Sequence, residues 1–98
     1  MFHGTLCGKK CGIVFAEKYR SLLGNYLVEK YSYCIDFVVI INMQQGVSFR
    51  SNRDDVNVSE IASVFGGGGH FKASGAPLDN SLKKEIIKYI FNDDNLFN

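Results

Sequence analysis

The clearest chemistry in this chain lies in Gly66-Gly67-Gly68-Gly69-His70, followed by Phe71-Lys72-Ala73-Ser74-Gly75. Glycine loses more backbone freedom on ordering than any other residue, and a small domain has little stability to spare for such a run. Glycines in a row are retained where the backbone must come close to something, or where positive φ angles are needed that a Cβ forbids. Glycine-rich turns also aim several N–H groups at one point, a concavity suited to phosphate or carboxylate oxygens. His70 closes the run and donates a hydrogen bond to an anion whether protonated or neutral. Lys72 adds a cation two positions on. An anion-binding loop is the leading local reading. The plain alternative is a flexible linker, but linkers are usually Ser/Gly mixtures between domains.

Arg50 is the second candidate. Val47-Ser48-Phe49-Arg50-Ser51 alternates, so Val47 and Phe49 share one face of a strand and Ser48 and Arg50 the other. Locally, an arginine beside a serine on a sheet face reads as a solvated charge, with a bidentate phosphate fork as the alternative. Phe71 reads as a core residue, with base stacking as its alternative. Lys83, Lys84 and Lys88 read as the solvated face of a helix. His3, Cys7 and Cys11 invite a metal reading, but their spacing is wrong for the common zinc knuckles and no fourth ligand stands out. With Cys34 the cysteine count is odd, which argues against a disulfide framework and predicts reduced thiols.

The elements that position these residues follow from periodicity. Met1 to Gly8 lacks it, so residues 1–10 are expected as a disordered or truncated start. Cys11 to Ala16 reads as a buried strand. Leu22, Leu23, Tyr26 and Leu27 recur at helical spacing, predicting a helix over Tyr19 to Tyr31, with Gly24 an unfavourable residue inside it. Ile35 to Ile41 is nearly all apolar, as a central strand covered on both faces would be. Met43 to Gly46 reads as a turn, with Val47 to Ser51 the returning antiparallel strand.

Asn57 with Glu60 forms a capping-box pattern, and Val58, Ile61, Ala62 and Phe65 make an apolar stripe ending at Gly66, a natural left-handed cap. The glycine run therefore follows a helix C-terminus, where the dipole disfavours an anion; this is no P-loop. Gly75 to Leu78 reads as a short strand, with Pro77 at its edge or end. Asn80 or Ser81 caps a last helix whose buried stripe is Leu82, Ile86, Tyr89 and Ile90. Residues 93–98 are expected to fray. Strand, helix, hairpin, helix, glycine loop, strand and helix make a single small α/β domain over residues 11–92, a mixed β-sheet with helices packed on it.

Composition excludes several classes. At 98 residues the chain holds one modest core, and a formal net charge of +1 gives no broad field to recruit nucleic acid, so anion binding must be local. The longest apolar run, Phe37 to Ile41, is too short to span a bilayer, and no secretion signal is visible. A cytoplasmic location is the default expectation.

Taken together, Ser48-Phe49-Arg50-Ser51, Val56-Asn57-Val58-Ser59 opening a helix, and Gly66 to His70 with Ala73 and Gly75 resemble the DHH-associated domain. That domain is the C-terminal substrate-binding half of DHH-family phosphoesterases, named for an Asp-His-His motif in their catalytic half. The resemblance covers roughly Cys11 to Leu78. Tyr19-Arg20-Ser21 and Gly24-Asn25-Tyr26 are similar to the oligoribonuclease (nanoRNase) branch.

The resemblance implies that Gly66, Gly67, Gly68, Gly69 and His70 hold a substrate phosphate near the scissile bond; Lys72, beside the loop, is expected to assist. It implies that Arg50, with Ser51, contacts the phosphate or nucleotide from the neighbouring strand. Implied ligands are short oligonucleotides, cyclic or linear dinucleotides and nucleoside bisphosphates. The implied partner is the DHH catalytic domain, with two manganese ions.

The chain departs from that pattern in one respect. Two-metal hydrolysis needs carboxylates and histidines clustered around ions about 4 Å apart. This sequence has two histidines and no Asp-His-His or His-x-Asp motif, and Asp54-Asp55 and Asp93-Asp94 read as turn and terminus residues. The expectation is a binding half with no catalytic or metal-ligating residues of its own, inactive in isolation. Two alternatives stand beside it. One is a tRNA-binding module similar to the appended domain of alanyl-tRNA synthetases, against which the near-neutral charge counts. The other is a structural domain with a degenerate loop.

Overall fold

The computed structural model describes residues 1–91. Phe2–Leu6 (β1) and Lys9–Phe15 (β2) open the chain as an antiparallel hairpin. A crossover through helix α1 (Arg20–Lys30) brings Phe37–Asn42 (β3) back parallel to β2. Gly46–Arg50 (β4) returns antiparallel to β3, after a turn in which Gly46 takes φ 111°. Then come α2 (Val58–Val64), β5 (Gly68–Gly69), β6 (Ala73–Ala76) and α3 (Asn80–Ile90). The strands form one six-stranded mixed sheet in the order β1-β2-β3-β4-β6-β5. This is the α/β architecture expected from the sequence.

Every residue of β3 is buried, because each face of the sheet carries helix. Alternation sorts the two cores. Phe37, Val39, Ile41, Val47 and Phe49 point toward α2 and α3, where Ile61, Ala62, Leu82 and Ile86 meet them. Val38 and Ile40 point the other way and pack under Leu27 and Val28 of α1. Burying a side chain of that size contributes about 1.5–3 kcal/mol. The sheet interior thus fixes the register of β4, and with it the face on which Arg50 emerges.

Several expectations are corrected. The start of the chain is ordered: Cys7 and Gly8, at φ 53° and 77°, make the two-residue turn of the first hairpin. Cysteine is an uncommon residue at such an angle, which hid the turn. The Tyr89 hydroxyl of α3 donates to the Thr5 carbonyl at 3.0 Å, tying β1 down. In α1, Leu22 and Tyr26 are exposed while Gly24, Leu27 and Val28 are buried, so the inward stripe is rotated from the expected one. The β6 strand begins at Ala73 rather than Gly75, and Pro77 lies just beyond its end. The cap of α3 is Asp79, whose Oδ1 accepts from the Leu82 N–H at 3.1 Å and the Ser81 hydroxyl at 2.8 Å. The expected fraying of 93–98 lies outside the described residues.

Candidate functional site

The glycine run is built into the fold rather than looped out from it. Asn57 caps α2 as expected, its Oδ1 accepting from the Ser59 N–H at 3.0 Å rather than pairing with Glu60. At the far end Gly66, at φ 82°, closes a Schellman motif: Gly66 N–H donates to Ser63 O at 3.3 Å and Gly67 N–H to Ala62 O at 2.8 Å. Gly68 and Gly69 then pair antiparallel with Gly75 and Ser74. His70 N–H donates to Ala73 O at 2.8 Å and Ala73 N–H to His70 O at 3.3 Å, so Phe71 and Lys72 form the tip of a tight hairpin.

This departs from a cradle of free amides. The N–H groups of Gly66, Gly67 and His70 are used internally, and ladder alternation makes Gly68–Gly75 the next bonded pair. Within the run, only the Gly69 N–H is left facing outward by that pattern. What the run offers a ligand is bare surface.

The four glycines differ in why they are glycine. Gly66 needs its left-handed φ. A Cβ on Gly67 would overlap the Gly75 carbonyl oxygen, and one on Gly69 would stand 2.7 Å from Ser74 Cα. Gly68 has neither reason: its φ is ordinary and a Cβ there would meet nothing within 4 Å. The fold does not require glycine at that position.

Strand register sets what surrounds Gly68. Arg50 lies opposite Ala73, and Ala73 pairs with His70, so the three form one row across β4, β6 and the end of β5. Ser48, Gly75 and Gly68 form the next row. Partners directly across a ladder share a face, and Ser48 and Arg50 occupy the face that carries α1. Helix α1 covers β3 and β4 there and leaves β6 and β5 open. The result is a shelf floored by Gly68, Ala73 and Gly75, with Arg50 on one side and His70 on the other.

Arg50 is held in place. Its Nη1 donates to Phe49 O at 3.0 Å and Ser74 O at 3.3 Å, and its Nη2 to Ser21 Oγ at 3.3 Å. Three of its five N–H donors are engaged, leaving two for a ligand. Burial first, and then the nearby positive charge of Arg20, pull its pKa below the ordinary arginine value. No carboxylate of the described residues pairs with it. The His70 ring is exposed and forms no hydrogen bond to the described residues.

Other expected site residues lie elsewhere. Ser51 is buried, its hydroxyl donating to Asp36 O at 2.8 Å and accepting from Arg53 N–H at 3.1 Å, so it braces the strand end rather than facing the shelf. Lys72 Nζ pairs with Asp54 Oδ1 at 2.9 Å. Phe71 lines a cleft with Asn57, Ile61 and Val64 on the opposite face of the sheet. Among the described residues no group of three or more His, Cys, Asp and Glu is placed to hold a metal ion. The sequence pointed to Ser21 and Gly24 only through the resemblance and gave neither a place beside Arg50, which both helix residues receive. The available signal was the glycine inside α1, since a glycine in a helical pattern usually has a packing reason.

Residues 16–93 match the DHHA1 domain. The chain belongs to this family. The resemblance read from the glycine run and Arg50 is thereby borne out for the DHHA1 domain as a whole. Oligoribonuclease NrnB of Bacillus subtilis is 40% identical over 84 residues, covering 85% of this chain and 21% of that protein. The bifunctional oligoribonuclease and PAP phosphatase NrnA of Mycoplasma pneumoniae is 50% identical over 44 residues, covering 45% of this chain and 12% of that protein. A crystal structure of an uncharacterized protein from Helicobacter pylori G27 superposes with a TM-score of 0.73 at 30% identity, covering 92% of this chain and 28% of that one. This DHHA1 domain thus spans about a fifth of the NrnB relative's length. None of its described helices is long and apolar enough to cross a membrane.

Proposed function

We propose that this DHHA1 domain is the substrate-binding part of an oligoribonuclease-type phosphoesterase. In this reading a phosphate of a short oligoribonucleotide, or of a nucleoside bisphosphate, rests on the shelf of Gly68, Ala73 and Gly75. Arg50 supplies two charged N–H donors from one side and His70 a ring N–H from the other. The outward Gly69 N–H is available to a second oxygen or to the sugar. Hydrolysis belongs to a catalytic domain with its manganese ions, which this chain contacts but does not supply.

One observation carries the reading. Gly68 is bare without structural need, on the outer strand of a floor that has Arg50 at its β4 side and His70 two residues on, at the end of β5. A Cβ at that point would occupy the volume of an approaching phosphate oxygen. The names of the NrnB and NrnA relatives support the ligand class.

Calorimetric titration of the chain with adenosine 3′,5′-bisphosphate tests it. Arg50→Ala and His70→Ala should each weaken binding by about ten-fold or more, the loss of one charge-assisted hydrogen bond. Unchanged affinity in both variants would defeat the proposal.

A further inference from the structure

Helix α3 buries Leu82 and Ile86 against the sheet, yet Lys83, Ile87 and Phe91 recur at every fourth position along its exposed side. Phe91 N–H donates to Ile87 O at 2.9 Å, so the row keeps helical register to its last member. These three form one wall of a groove of about 240 Å³. Phe15, at the end of β2, and Met43, in the turn between β3 and β4, form the other. Phe15, Met43, Ile87 and Phe91 are 48% to 71% exposed. Four large apolar side chains left half out around one groove mark a contact surface rather than scattered surface residues. Lys83 is the one charged residue among the described residues that line it, and no carboxylate of those residues pairs with it. The volume lies below the range of small-ligand clefts, about 300–1,000 Å³, and suits inserted side chains.

The helix row is its own complement. Two copies of α3 packed antiparallel about a two-fold axis at Ile87 set Ile87 against Ile87, and Lys83 of each copy against Phe91 of the other. An ammonium over an aromatic face is favourable, so the groove's charge meets a ring instead of a second lysine. A flat lipid surface would leave the space between the two walls unfilled.

We propose that this face docks a second copy of the chain, as a two-fold dimer through α3. Helix α3 packs on the sheet face opposite α1 and the shelf. Pairing therefore leaves both shelves open, and the dimer stands independently of the nucleotide reading.

Sedimentation equilibrium from about 10 µM to about 1 mM tests it, the range in which a small interface associates. The parent chain should show a concentration-dependent monomer–dimer equilibrium. Ile87→Glu sets two carboxylates face to face at the axis and should leave only monomer, with an unaltered circular dichroism spectrum. Lys88→Glu, on the same helix but outside the groove, should dimerise as the parent does. Lys83→Ala should weaken the dimer about ten-fold in the parent and not at all in a Phe91→Leu background, since the contact needs both side chains. A parent that stays monomeric at the top of the range overturns the dimer, and its co-sedimentation with anionic phospholipid vesicles would give the face to a membrane instead. Dimerisation that survives Ile87→Glu, or an equal loss from Lys83→Ala in both backgrounds, overturns the antiparallel α3 contact.

Discussion

A Cβ on Gly24 would stand 2.6 Å from Arg50 Cγ and 3.1 Å from its Cβ. The glycine inside α1 is therefore the gap through which the Arg50 stem passes beneath the helix to reach Ser21. Gly24→Ala pits two effects against each other. Alanine gains about 1 kcal/mol of helix propensity. Overpacking against the stem of Arg50, with Ile40 Cδ1 only 3.0 Å away, costs about 1–3 kcal/mol. Packing wins, so the melting temperature should fall, and the displaced Arg50 should bind adenosine 3′,5′-bisphosphate more weakly. A rise in melting temperature with unchanged affinity would show that Arg50 does not need the gap.

Gly67 and Gly68 are adjacent and should behave in opposite ways. Gly67→Ala drives a methyl into the Gly75 carbonyl and should destabilise the chain by about 1–3 kcal/mol. Gly68→Ala enters open space and should change stability by about 0.5 kcal/mol or less while weakening nucleotide binding. Denaturant melts beside titrations check the pair. Full affinity in Gly68→Ala would remove the reason for a bare floor.

Ser51 separates the two roles that its neighbourhood suggests. Its buried hydroxyl bridges Asp36 O and Arg53 N–H, so Ser51→Ala should cost about 1–3 kcal/mol in a urea melt. Below the melting transition its nucleotide affinity should equal that of the parent. A selective loss of affinity would place Ser51 at the ligand after all.

Asp79 gives the chain a pH dependence of known sign. The Leu82 N–H, and then the Ser81 hydroxyl, hold its carboxyl below the ordinary carboxylate pKa. A depressed folded-state pKa means the cap's contribution is complete above the unfolded value, about 3.9, and is lost as pH falls through the folded one. Asp55, held down by Arg53, acts in the same direction. Asp79→Asn keeps the cap acceptor without the titration. Its stability should therefore fall less steeply than the parent's between about pH 5 and about pH 2, with Asp55 still contributing. Identical slopes in thermal melts would remove Asp79 from the account.

The sequence was most legible where side chains pattern strongly. Val47 and Phe49 against Ser48 and Arg50 placed β4 and its faces, and Asn57 announced α2 at the residue where it starts. It was least legible where backbone alone decides. Nothing about Gly68 and Gly69 favours a strand; they are one because β6 offers a ladder and Gly66 turns the chain onto it. Helix α1 misled for a related reason. It sets a glycine over Arg50 and leaves Leu22 and Tyr26 outside while Leu27 and Val28 are buried, so its apolar residues fall on both faces. Within the site, residue types named Arg50 and His70, but only the register of β4, β6 and β5 set them on either side of Ala73, one row from Gly68.

In the proposed complex, phosphate sits on the floor between Arg50 and His70. The most direct measurement is a titration of the ¹⁵N-labelled chain with adenosine 3′,5′-bisphosphate, followed by amide chemical shifts. The largest saturable shifts should fall on Gly68, Gly69, His70, Ala73 and Gly75, with the Arg50 Nε–H moving alongside them. Shifts confined to the cleft beside Phe71 and Ile61 on the opposite face would contradict the account.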